Sequence, residues 1–306
     1  MKVPQDLELV QDGVRLTSLV MAATVFFDEP PQAHKADLLA AWHAWQNWCP
    51  PERMNFYSTE TMSEHRKVGP KTLRMLDAWL APGAPVRNIV SFEIKDGARF
   101  DDSPHWMFDL LGVDSDPDDP SMIQLAVPFG EGEAGAARLR AFTGALVARL
   151  GASHAVAGYA LICSPYEEEA SQTFARARSM RHRGLDILLS EADPVTVGHD
   201  GIKGVNWLTF IDRARIDRLG GDAAIRAALP PAVDVIPIGT GLLLQAGALP
   251  ALGDENRRER VPLYRDVFRV LAPLTVDAFD RALDLVLEDD DAATDLTLRW
   301  RRRLAG

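Results

Sequence analysis

Residues Leu16 to Phe27 form a long run rich in apolar and β-branched side chains, ended by Pro30-Pro31. Its apolar part, Leu19 to Phe27, is nine residues long and broken by Thr24. A membrane-spanning helix needs about 20 apolar residues, so this run reads as a buried strand and not as a span. A strand of that length requires a sheet beside it and elements to cover that sheet.

The rest of the chain supplies both. Gln32 to Trp48 has Leu38, Leu39, Trp42, Trp45 and Trp48 near helical spacing and stops at Cys49-Pro50-Pro51. Met54 to Thr59, Val86 to Lys95 and Met122 to Phe129 read as strands, with Asp96-Gly97 as a turn. Helices are expected over Lys71 to Leu80 and Glu133 to Leu150, the second with acids early, Arg149 late and Gly151 behind it. His154 to Cys163 reads as a strand. Ser164-Pro165-Tyr166-Glu167 has the form of a capped helix start, and that helix runs to about Arg181. Val205 to Ile211 is an expected strand, followed by short helices around Gly220-Gly221. Val233 to Ile236 and Leu242 to Ala246 suit paired strands. Helical patterns over Leu263 to Leu271, Val276 to Leu287 and Leu296 to Leu304 close the series.

Alternating elements argue for an α/β fold, with α+β as the alternative: a mixed sheet with flanking helices. The order strand, helix, strands, helix occurs around residues 1–150 and again from 151. We therefore expect one domain over 1–306 with two similar lobes, near 1–150 and 151–306. An internal duplication is a weaker expectation, since no residue-level repeat accompanies it.

The formal net charge is −11, from 44 acids and 33 bases. An acidic surface repels phosphate backbones and attracts basic partners, which disfavours direct binding of nucleic acid. Met1-Lys2-Val3-Pro4-Gln5-Asp6 lacks the apolar stretch of an export signal, and neither end carries a lipidation signal, so a cytoplasmic protein is expected. Cys49 and Cys163 form no CxxC pair and read as thiols in a reducing compartment.

Chemistry is hard to find. No serine lies in a GxSxG elbow. His154 and Cys163 share one expected strand, nine residues apart, so they cannot meet within it. His34 and His43 are too far apart on a helix to share an ion, and His105 stands near Asp101, Asp102 and Asp109 without a second histidine. Asp114-Ser115-Asp116-Pro117-Asp118-Asp119 begins like a calcium loop, but Asp119 and Leu125 occupy the positions that need Gly and Glu. Gly239-Thr240-Gly241 lacks a phosphate-loop continuation. Gly201 to Gly204, with Lys203, suits a turn into the next strand better than an anion site. No catalytic residue, metal or cofactor is expected.

Four segments carry a family resemblance. Gly201-Ile202-Lys203-Gly204-Val205-Asn206-Trp207-Leu208-Thr209-Phe210 is similar to an "IKGVNWLT" strand, and Gly241 to Gly247 to "GLLIQAG". Pro250 to Asn256 is similar to "P.LGDVN", with Glu255 in place of Val, and Arg181 to Asp186 to "RYPGLD", with His182-Arg183 replacing the aromatic and the proline. In this order they resemble the type VI secretion immunity family, the TsiV-like proteins paired with VRR-Nuc toxins. The resemblance implies a protein that binds and neutralises a cognate toxin with a basic, DNA-gripping surface, with no membrane role.

Gly204, Asn206, Trp207, Gln245, Gly247, Gly253, Asp254 and Asn256 read as fold determinants of that family, not as toxin contacts. Gln245 suits a buried amide pairing with backbone, Asn206 a polar lock within a strand, and Gly253-Asp254 a turn. Candidate partner-binding residues are the acids Asp114, Asp116, Asp118 and Asp119, then Glu167, Glu168 and Glu169, then Glu288 to Asp291. Trp106, Phe129 and Tyr166 are nearby aromatics. The alternatives are an enzyme of hydrolase type with scattered residues, or an adaptor of a secretion apparatus.

Overall fold

A computed structural model describes residues 3–113, 120–188, 201–275 and 299–305. The long apolar run becomes β2, Val14–Phe27. It lies in a sheet of twelve strands among the described residues. The first half adds β1 (Leu9–Gln11), β3 (Phe56–Thr59), β4 (Arg66–Lys67), β5 (Ile89–Lys95), β6 (Met107–Val113) and β7 (Ser121–Pro128). The second half adds β8 (His154–Cys163), β9 (Asp186–Leu188), β10 (Leu208–Ile211), β11 (Val233–Ile238) and β12 (Gly241–Ala246). The order is β11-β12-β10-β8-β2-β7-β6-β5-β3-β4, with β1 on β2 and β9 on β8. These pairs are antiparallel except β8 with β9.

Strands β2 and β8 are the seam. They pair from Thr17↔Cys163 to Phe26↔His154, so the two halves share one continuous sheet. Beyond the seam the halves differ. The strand beside β2 is β7, the last of its half, whereas β8 is followed outward by β10, β12 and β11. Their likeness goes no further than the opening order of strand and helix.

Side chains alternate across a strand, yet β2 is buried from Leu16 to Phe27 because both faces are covered. Leu19, Met21, Ala23, Val25 and Phe27 join the main core, with Trp42, Leu139 and Ala175 from the helices. Val20 and Ala22 point the other way and join Met107, Ala126, Ala160, Ile162 and Leu188. The helices on the main-core face are α1 (Lys35–Gln46), α3 (Gly132–Arg149) and α4 (Glu168–Arg181); the short α2 (Met75–Trp79) packs by α1. Trp42 and Trp45 of α1 are fully buried against Phe92 and Phe108. Truncating either to Ala would cost about 3–5 kcal/mol.

Several expected boundaries move. The stretch before α1 is a 3-10 turn at Pro31–His34, not part of the helix. Helix α4 starts at Glu168, later than the Ser164 signal suggested: Ser164 Oγ accepts from Tyr166 N at 3.3 Å and donates to Asp101 O at 2.6 Å, so it holds the turn before the helix to a distant loop. Strand β10 starts at Leu208 and not at Val205, for a reason that lies in Asn206. The turn between β11 and β12 is Gly239-Thr240, with Gly239 at φ +56°. Helices α5 (Arg213–Arg218), α6 (Asp222–Ala228) and α7 (Pro262–Leu271) follow the expected pattern, with Asp212 capping α5 through the Arg215 amide. Val276 to Leu287 and residues 296–298 of the last expected helix lie outside the described residues.

Candidate functional site

The four motif segments meet at one junction. Along a single edge, β8 is paired by β10 at His154 to Ala157 and by β9 at Ala160 to Ile162. Gly158 and Tyr159 fall in the gap, where Asn206 enters. Its Nδ2 donates to Tyr159 O at 3.1 Å, and its Oδ1 accepts from Trp207 N at 2.7 Å. A side chain at position 158 would collide with it, since a Cβ there would lie 2.2 Å from Asn206 Oδ1. An amide so engaged holds its own backbone out of the ladder, which delays β10 to Leu208.

The neighbours extend this junction. Trp207 Nε1 and Gln245 Nε2 both donate to Gly247 O, at 2.8 and 3.0 Å. Lys203 Nζ lies 2.9 Å from Asp186 Oδ2 and is buried, so the cation of the Gly201 to Gly204 turn faces an internal carboxylate instead of an outside anion. Gly204 has open space where a side chain would begin, and its φ of +156° is what favours glycine. Asp254 accepts from Arg181 Nε and Nη2 at 2.9 and 2.7 Å and from Asn256 N at 2.9 Å. The Arg181 hydrogen bond, against the effect of burial, pulls its carboxyl down to about 2. Gly184 N donates to Leu252 O at 2.9 Å, and a Cβ there would meet Ala251 O at 2.0 Å. Gly253 is less tight, with Val261 Cγ1 2.8 Å from the place of a Cβ, but its φ of +71° itself favours glycine.

The acidic candidates are elsewhere. Asp114, Asp116, Asp118 and Asp119, and Glu288 to Asp291, lie outside the described residues. Glu167 and Glu169 are exposed at the start of α4, which Glu168 opens. Trp106 and Phe129 are buried in the core, whereas Tyr166 is half-buried beside Glu167. Tyr166 is held firmly. Its Oη accepts from His65 N at 2.8 Å and lies 2.8 Å from His65 Nδ1, while Phe100 meets its ring edge at 5.0 Å. His65 Nε2 stands 3.1 Å from Glu93 Oε1. Burial would raise the Glu93 carboxyl, but the His65 contact and the Lys95 charge outweigh it and hold it below its ordinary value. Burial lowers Lys95 in turn, and its Nζ donates to Asp102 O at 2.7 Å. This row ties the β3–β4 hairpin to the start of α4, across 101 residues of sequence.

A polar line continues from Glu93. Asp109, Gln124 and Thr24 are its successive register partners on β6, β7 and β2, and all three are buried. The sequence reading gives no role to His65, Glu93, Lys95 or Gln124, and weighs Asp109 only as a neighbour of His105. The available signal was charged or amide residues set inside apolar strands, as in Phe92-Glu93-Ile94-Lys95.

The remaining candidates are accounted for by local contacts. His154 and Cys163 occupy opposite ends of β8. Burial and the Arg215 charge lower His154 to about 3, and its Nδ1 lies 2.7 Å from Phe210 O. Both cysteines are free thiols. His34 pairs with Glu29, His43 with Asp77 and His105 with Glu8. Among the described residues no three His, Cys, Asp or Glu side chains group so as to hold a metal ion.

Comparison with known proteins adds three findings. The family described as TsiV, type VI immunity for VRR-NUC, matches residues 38–304. Among solved structures, the chain is similar to the Pseudomonas aeruginosa T6SS protein PA0821, with a TM-score of 0.77 and 22% identity over 97% of this chain and 87% of that one. That likeness is one of fold. A second similarity is to the toxic C-terminal tip of CdiA from Pseudomonas aeruginosa in complex with immune protein. It has a TM-score of 0.25 and 12% identity over 50% of this chain and 92% of that one, too slight to bear on the fold. No curated protein matches.

Proposed function

The chain belongs to the TsiV family of type VI immunity proteins for VRR-NUC, and from that premise we propose that it neutralises its cognate effector by direct, non-catalytic binding in the cytoplasm. The observation that carries this reading is the family match across residues 38–304. The partner is a nuclease whose phosphate-gripping face is basic. Acidic elements of this chain cover that face and keep DNA out, and the chain itself makes no contact with nucleic acid.

The physical support is charge and rigidity. A net charge of −11 draws a basic partner in and raises the rate of encounter. Glu167 and Glu169 are exposed next to Tyr166, whose hydroxyl is already fixed by His65. An aromatic held in place loses little freedom on binding, which suits an interface anchor. Among the described residues no helix is long and apolar enough to cross a membrane.

The decisive experiment is co-expression with the cognate VRR-NUC effector. The chain should protect the host cell and co-purify with the effector, and a cell that dies all the same would reject the immunity mechanism. Charge reversal then locates the contact. Glu167→Lys with Glu169→Lys, and separately Asp114→Lys with Asp116→Lys, should slow association severalfold and flatten its dependence on salt. A pair that leaves the association rate unchanged is not at the interface.

A further inference from the structure

On this acidic chain one exposed loop is basic. Between β12 and α7, residues 255–260 are all exposed and include Arg257, Arg258 and Arg260. The carboxylates beside them are mostly engaged. Arg183 Nε holds Glu255 Oε1 at 2.9 Å, and Arg181 grips Asp254 with two donors, while Arg257 lies 3.6 Å from that same Asp254 carboxylate. Among the described residues no carboxylate pairs with Arg258 or Arg260, and Glu259 is the loop's remaining acid. The backbone fixes the loop. Asp254 O accepts from Arg257 N at 3.0 Å and from Glu259 N at 2.9 Å, and Arg258 N donates to Glu255 O at 3.1 Å. Arg258 sits at φ +60° and ψ +24°, a left-handed conformation that glycine or asparagine takes most readily after a helical turn. An arginine held there, with its charge exposed and unpaired, is a cation presented to an outside partner.

Guanidinium groups take planar anions through paired hydrogen bonds, so this loop fits carboxylates or phosphates. A polynucleotide is the weaker fit. The net charge of −11 repels it, and three arginines beside Glu259 make few phosphate contacts to offset that repulsion. A protein that is basic where it grips DNA is drawn in by the same charge and carries Asp and Glu elsewhere on its surface. The position of the loop also suits such a partner. Arg181 ends α4, so the loop lies at the opposite end of that helix from Glu167 and Glu169. The 14 residues of α4 span about 20 Å. A contact patch of about 800 Å² per partner is about 30 Å across, so one partner covers both ends.

We infer that the loop at residues 257–260 is a second effector contact, which seats carboxylates of the effector and thereby fixes its orientation on this chain. The inference rests on the reading of the chain as an effector-binding protein. The acidic start of α4 draws the basic face in. The arginines at the other end reject the reversed pose, in which like charges would meet at both ends. A loop already fixed by its own backbone loses little freedom when it binds.

The test measures binding of the full chain to the purified cognate VRR-NUC effector, with four forms of the chain. One is unaltered. Arg258→Asn with Arg260→Gln removes the charge, Arg258→Glu with Arg260→Glu reverses it, and Arg258→Lys with Arg260→Lys keeps it without the paired donors. The neutral form should bind about tenfold more weakly through faster dissociation, the reversed form more weakly still, and the lysine form between the neutral and unaltered ones. Net charge alone predicts the opposite, because a chain without these two cations attracts a basic partner more strongly. The neutral form should melt no lower than the unaltered chain, since asparagine suits the left-handed position. Binding losses that merely follow a fall in melting temperature would count against a contact. If the unaltered chain binds and the neutral form binds as tightly or more tightly, the loop is not a contact and only this inference fails. If the unaltered chain shows no binding, the reading beneath it fails too. Binding of duplex DNA that the neutral form abolishes would assign the loop to phosphate and overturn the inference.

Discussion

Asp254 is 3% exposed, and it exists as a carboxylate because Arg181 grips it with two donors. The sequence suggested only that an aspartate after glycine would close a turn, and its contact with Asn256 N does so. Arg181, 73 residues away, could not be paired with it by spacing. Because the folded carboxyl is lowered to about 2 from its ordinary 3.8, the charged form favours the folded state. That contribution is complete above the ordinary value and is lost as pH falls from about 4 to about 2. Asp254→Asn should therefore lower stability at neutral pH by roughly 1–3 kcal/mol. In urea unfolding, the gap between variant and unaltered chain should close across that acidic window. A gap that stays constant down to pH of about 2 would show that the Arg181 pairing contributes nothing.

Strand β8 shows how an element takes its limits from its neighbours. Its own bounds, His154–Cys163, follow from apolar residues up to Ser164-Pro165, and the sequence reading places them where the structure does. Strand β10 was expected from Val205 because Val205, Trp207 and Leu208 are apolar. It starts at Leu208, since Asn206 caps the gap between β10 and β9. The glycine at 158 is the other half of this fit. Gly158→Ala should destabilise the chain by about 1–3 kcal/mol through overpacking. Asn206→Ala should cost a similar amount by leaving Tyr159 O and Trp207 N without their partner. Made together, the two should cost clearly less than their sum, because the collision disappears with the amide. Strictly additive thermal or chemical denaturation data would rule out the contact.

At the scale of the molecule, the seam between β2 and β8 makes one sheet from two halves of the sequence. We propose that the chain unfolds as a single domain. Five of the seven tryptophans, Trp42, Trp45, Trp48, Trp79 and Trp106, lie in the first half and weight the fluorescence toward it, with Trp207 and Trp300 in the second, whereas backbone dichroism reports on both evenly. Urea curves from the two signals should coincide, since pulling β8 away strips β2 of a partner along ten register pairs. Two separated transitions would mean that the halves fold independently.

Sequence alone determined roughly where most strands and helices fall, from apolar period and from proline and glycine punctuation, and it identified the family through four ordered motifs. These signals are local, so short windows carry them. Only the tertiary structure decided which strands are neighbours, that Asn206 fills a gap opposite Gly158, that His65 fixes Tyr166, and that a line of buried polar side chains crosses four strands. Each of those pairs residues far apart in the chain. Such partners are chosen by register and packing across the whole sheet, and no spacing along the sequence encodes them.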